Sequence, residues 1–108
     1  MNKEFIPYEQ SLELKELGFD EECFTYNDNS KIFRAGVLYQ QAFRWFREKH
    51  GLMGLVDCFL YPFSYTYNIN DIINEKIILW SEPENDFETY EEAEKALLIK
   101  LIELVKQN

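Results

Sequence analysis

Basic residues, histidine and cysteine are all scarce in this chain of 108 residues. Eleven Lys and Arg stand against 20 Asp and Glu, a formal net charge of -9, so the surface as a whole repels phosphate backbones at long range. Non-specific binding of DNA or RNA over the whole surface is therefore not expected. The one histidine, His50, precedes Gly51 at the end of a predicted helix, where a cation meets the last carbonyls, and no neighbour in the sequence makes it a general base. The two cysteines, Cys23 and Cys58, form no C-x-x-C and have no adjacent histidine, which argues against a metal knuckle or a redox pair. Both are expected to be buried free thiols. Ser11, Ser30, Ser64 and Ser81 sit in no nucleophile-elbow context, and "GLMG" lacks the glycine spacing and lysine of a phosphate-binding loop. No catalytic residue, metal ligand or cofactor is expected. The N-terminal "MNKEFIPYEQ" has no apolar core of signal-peptide length. The longest uncharged run, "CFLYPFSYTYNIN" from Cys58 to Asn70, is too short and too polar to cross a bilayer. The expectation is a cytoplasmic protein without a membrane segment.

What is abundant is apolar and aromatic. With 46% hydrophobic and 17% aromatic residues, the chain is far from the composition of disorder. At this length, about two-thirds of the surface of the unfolded chain can be buried. One compact domain over 1–108 is expected, with no repeat, low-complexity tract or linker.

The pattern along the chain alternates. "YEQSLELKELGF" carries Leu12, Leu14 and Leu17 and stops at Gly18 with Phe19 following, a helix closed by a left-handed glycine, and Pro7 suits its entry. "ECFTYN" and "KIFRAG" flank the turn residues Asp28, Asn29 and Ser30 and read as a hairpin. From about Leu38 to His50, Leu38, Ala42, Trp45 and Lys49 form one helical stripe and Tyr39, Phe43 and Phe46 its neighbour. From Phe59 the period becomes two, with Phe59, Tyr61, Phe63, Tyr65, Tyr67 and Ile69 on one face: a long strand, or two strands bent at Pro62. That face is expected to meet a helix layer. "EKIILW" reads as a further strand. Thr89 and Glu92 make a T-x-x-E capping box for a last helix, in which Leu97, Leu101 and Leu104 and then Leu98, Ile102 and Val105 form two apolar stripes. The predicted fold is α+β, in the order helix, hairpin, helix, hairpin, helix, with an antiparallel sheet of about four strands packed against helices.

Two charge clusters are candidate binding surfaces. Glu82, Glu84, Asp86, Glu88, Glu91, Glu92 and Glu94 concentrate negative charge with no intervening base, without the spacing and central glycine of a calcium loop. They suit a protein partner with a basic surface, against the plainer reading of a solvated loop and helix-start acids. Lys31, Arg34, Arg44, Arg47 and Lys49 form a modest basic patch that could grip RNA beside exposed aromatics, unless Trp45 and Phe46 are core and the arginines pair with acids near the first helix. A third reading is a small enzyme or ligand-binding module built on Tyr61, Tyr65 and Tyr67, and it requires a pocket at those tyrosines.

Three blocks, "FIPYEQSLELKELGFDEECF", "QQAFRWFREKHGL" and "YEEAEKALLIKLIELVK", resemble a family of small uncharacterised proteins of phages and mobile elements of Bacteroidota. The blocks cover about half the chain. The resemblance supplies no catalytic residues. It implies a context in which small acidic proteins bind host proteins. Its sharpest form is an anti-CRISPR inhibitor of a host defence ribonucleoprotein, with a type VI RNA-guided ribonuclease as a plausible target in flavobacterial hosts. A nucleic-acid accessory factor using the basic central helix is the alternative.

Overall fold

A computed structural model describes residues 5–21, 24–27, 33–60, 63–79 and 86–107; for 24–27 and 33–35 the backbone alone is described. The elements are α1 (Tyr8–Glu16), β1 (Phe24–Asn27), β2 (Phe33–Gly36), α2 (Tyr39–His50), β3 (Leu52–Leu60), β4 (Phe63–Asp71), β5 (Lys76–Leu79) and α3 (Tyr90–Lys106).

The fold is α+β, but the strands do not share one sheet. Among the described residues β1 and β2 pair only with each other, and β3, β4 and β5 form a separate antiparallel meander in that order. The predicted four-stranded sheet is thereby corrected, and a three-stranded unit replaces the second hairpin. The reason lies in β3. Its "LMGLVDCFL" lacks clean alternation, so no strand is predicted over most of it and Phe59 joins the aromatic run that follows. In the structure the chain reverses between Leu60 and Phe63, so Phe59 lies opposite Ser64 on β3 rather than beside Tyr65 on one strand.

Helix ends follow local chemistry. Pro7 enters α1, and its carbonyl accepts from Gln10 and Ser11 at 3.0 and 3.1 Å. At the other end Gly18 takes φ 104°, its N–H donates to Lys15 at 3.1 Å and that of Phe19 to Leu14 at 3.0 Å, which satisfies the last carbonyls as a Schellman motif does. Phe19 is thereby placed edge-on against Trp45 of α2, with ring centroids 5.6 Å apart. α1 buries Leu14 with Gln10 and Ser11, while Leu12 turns to solvent. α2 ends at Gly51, φ 65°, whose N–H donates to Phe46. A Cβ at Gly51 would run into the Ile73 side chain of the β4–β5 turn.

The core lies between the sheet and the helices. α3 packs on β3 and β4, and α2 on β3 and α3. A Cβ at Gly54 would come within 2.7 Å of Leu97, so the even-numbered side chains of β3 face α3, with their partners Ile69, Tyr67 and Tyr65 on β4. Ile69, Leu97, Leu98 and Leu101 are fully buried there. Each such side chain contributes about 1.5 to 3 kcal/mol. The expected stripes of α2 and α3 are the buried ones: Ala42, Trp45 and Phe46, then Ala93, Leu97, Leu98, Leu101 and Ile102. Lys49 is the exception in its stripe and is exposed. Lys106 at the end of α3 bonds Glu13 of α1 at 2.7 Å, tying the last helix to the first.

Candidate acidic interface

Two of the seven acids singled out by sequence, Glu82 and Glu84, lie outside the described residues. The others gather at the start of α3. Asp86 and Glu88 are exposed just before it. Thr89 caps the helix, its Oγ1 accepting from the Glu92 N–H at 3.1 Å and its hydroxyl bonding Glu92 Oε1 at 3.1 Å. Glu91 and Glu92 occupy the first turn, where the helix dipole favours negative charge. Half of the expected capping box is therefore formed: Thr89 caps the Glu92 N–H, while the Glu92 carboxylate takes the Thr89 hydroxyl rather than its backbone N–H.

Glu94 is different. It follows buried Ala93 on α3 and is itself half-buried. Burial first, and the neighbouring Glu91 charge second, push its carboxyl up to about 7. No cation among the described residues pairs with it. Around it lie Tyr39 at the start of α2, raised to about 12 by burial and then by Glu94, and Tyr90, raised by burial, Glu94 and Glu91. Tyr90 in turn meets Tyr65 of β4 edge-on, ring centroids 6.0 Å apart. The start of α3 thus presents exposed carboxylates around a half-buried acid flanked by tyrosines. Sequence reasoning grouped Glu94 with its neighbours, because i, i+3 spacing alone does not show which acid turns toward α2.

The basic residues are less well gathered. Lys31 and the Arg34 side chain lie outside the described residues, and Arg44, Arg47 and Lys49 lie exposed on α2. Arg44 forms a salt bridge with Glu21, just beyond α1, at 3.2 Å, and Gln41 bonds the same carboxylate at 3.5 Å. Trp45 and Phe46 are buried, so neither offers a stacking platform.

His50 is in the expected place, in a partly buried setting. It ends α2 as expected, but its ring packs against Trp45, centroids 4.8 Å apart, and burial lowers its pKa below 6.5. Burial thus opposes the positive charge that the helix end favours. Cys58 is exposed, which corrects the expectation of a buried thiol; Cys23 lies outside the described residues.

The tyrosine-rich strand places Tyr65 and Tyr67 on its helix-facing side. Both are half-buried, Tyr65 against Phe63 and Tyr90, Tyr67 stacked 6.3 Å from Phe87, and Tyr61 lies outside the described residues. Phe63 at the outer end of that face is exposed. A cleft of about 430 Å³ lies instead at the opposite end of the sheet, between His50, Leu52, Asp71, Lys76 and Leu104. Asp71 there is occupied by its own turn, accepting from the N–H groups of Ile73 and Asn74 at 3.1 and 3.0 Å and from the Asn74 amide at 2.9 Å. Among the described residues no group of three His, Cys, Asp or Glu could hold a metal ion, and no helix is long and apolar enough to cross a membrane.

No protein-family model, no curated protein and no solved structure matches this chain.

Proposed function

We propose that the chain is a non-enzymatic binding protein whose acidic α3 start docks on a basic surface of another protein. The observation that carries this reading is Glu94, a half-buried carboxyl with its pKa raised to about 7 and no counter-charge among the described residues. Holding an unpaired acid beside two tyrosines costs stability that an alanine or glutamine would not. An arginine or lysine from a partner would relieve that cost, and the surrounding exposed carboxylates would steer it in. Tyr90, 46% exposed beside these acids, supplies the aromatic component that anchors protein interfaces.

The family resemblance directs this reading to a host defence ribonucleoprotein, with a type VI RNA-guided ribonuclease as the partner to try first. Such an enzyme carries a basic channel for its guide RNA, and a negative protein surface competes for it. The experiment is co-elution with the purified effector at low and high salt, together with its target-activated RNA cleavage. Binding that weakens with salt and with Glu94→Gln, accompanied by loss of cleavage, is expected. Neither co-elution nor inhibition under any condition sinks the choice of partner, and binding indifferent to Glu91→Gln and Glu94→Gln sinks the choice of surface.

The RNA-binding alternative rests on Arg47 and Lys49, which are exposed on the last turn of α2 and have no ion pair among the described residues. A gel shift with short RNAs that disappears in Arg47→Ala would favour it.

A further inference from the structure

Among the described residues β3 stands at an edge of its sheet, and the hydrogen bonds show which of its backbone groups turn outward. Tyr65 on β4 gives both its N–H and its C=O to Phe87, at 2.9 and 2.6 Å, on the side of β4 away from β3. Its pairing with Cys58 is therefore of the non-hydrogen-bonded kind, and the N–H and C=O of Cys58 point away from β4. Alternation extends the same orientation to Val56 and Leu60. The other parity agrees: Gly51, in register with Ile72, accepts its N–H at 2.9 Å, so odd-numbered residues turn toward β4.

Exposed edges in native sheets are usually blunted by lysine, proline or a bulge. β3 has none of these. Its register with β4 is unbroken from Leu52 to Leu60, and Asp57 is its one charged residue. Cys58 is exposed, Val56 half-exposed and Leu60 64% exposed, and beside Leu60 on the same face Phe63 is 61% exposed. At the other end of the strand Leu52 is buried and Gly54 lies under Leu97, so the available part of the edge is Val56 to Leu60.

We propose that this edge pairs antiparallel with β3 of a second copy of the chain, about a two-fold axis through Cys58. In that register Cys58 meets Cys58 of the second copy, and Val56 meets Leu60 in both directions. All three residues present outward N–H and C=O groups, so every pair is hydrogen-bonded. The single charge selects this axis. Moving it one residue to Asp57 would set two carboxylates face to face, whereas an axis at Cys58 sets Asp57 opposite Phe59. An axis at Val56 would draw in Leu52, which the core already buries. The acidic start of α3 is not needed for this pairing, so the dimer stands or falls independently of the proposed partner.

The test is sedimentation equilibrium of the full chain from micromolar to near-millimolar concentration. The wild type is expected to reach twice its 13.0 kDa mass. Val56→Pro removes an outward donor without breaking the β3–β4 ladder, and is expected to weaken the dimer at least about tenfold with an unchanged circular dichroism spectrum. Should that variant not fold, Leu60→Lys places a charge on the edge and is expected to give a folded monomer. In a Cys23→Ser background, a short bismaleimide should link the copies through Cys58, because hydrogen-bonded pairs hold their Cα atoms about 5.5 Å apart, within reach of such a linker. A wild type that stays monomeric overturns the proposal. So does a dimer that survives Leu60→Lys, or one that the bismaleimide fails to cross-link.

Discussion

Replacing Glu94 by glutamine tests the site where it departs most from an ordinary surface. In the unfolded chain the Glu94 carboxyl titrates at its ordinary value of 4.5, whereas in the folded protein burial and Glu91 hold the proton until about 7. Between these values the folded state binds more protons than the unfolded one, so stability falls as pH rises through the window. Below it the acid costs nothing, and above it the full penalty applies. A shift of one pKa unit corresponds to about 1.4 kcal/mol. The group is only half-buried, and solvent screening reduces the total to roughly 1 to 2 kcal/mol. Glu94→Gln, which keeps the shape and removes the titration, should therefore match the wild type near about pH 4 and exceed it by roughly 1 to 2 kcal/mol near about pH 8. Urea unfolding followed by circular dichroism across that range measures both slopes. Equal pH slopes in the two proteins, or a glutamine variant that is less stable throughout, would refute the reasoning.

Other perturbations address the scaffold. Leu97→Ala, a fully buried residue pressed on Gly54, should cost about 2 to 5 kcal/mol in chemical denaturation. Thr89→Ala, which removes the α3 cap, should cost about 1 kcal/mol in the same assay. Gly51→Ala forces a side chain into a left-handed position and onto Ile73, and shortening Ile73 to alanine in the same chain should restore part of the lost melting temperature. Proton NMR should place the His50 midpoint below 6.5. Because the unfolded histidine binds its proton first as pH falls, His50 contributes stability that is lost on acidification below that value.

Helices were the most legible part of the fold, because their signals are local. The Gly18–Phe19 and Gly51 stops, the Thr89 cap and the paired stripes of α3 each need only a few neighbouring residues, and each occurs where the sequence places it. The sheet was read less well. β3 carries glycine and aspartate among its apolar residues because Gly54 admits Leu97 and Asp57 bonds the Asn68 amide at 2.6 Å, demands set by the neighbouring helix and strand. The clustering of acids before and within α3 was visible in the chain, but the distinction of Glu94 from Glu91 and Glu92 depends on where α2 crosses. The charge of His50 likewise depends on a ring contact that periodicity does not reveal.

The Trp45 ring connects several of these observations. It is almost wholly buried, with Phe19 on one edge, Phe46 on another and His50 within 4.8 Å. Once Trp80, the second tryptophan of the chain, is replaced by phenylalanine, an indole in that position is a built-in fluorescent probe. Its emission reads the docking of the segment after α1 through Phe19 and the protonation of the end of α2 through His50, a charged imidazole being an efficient quencher. The same signal can follow the molecule through acidification and unfolding without an attached label.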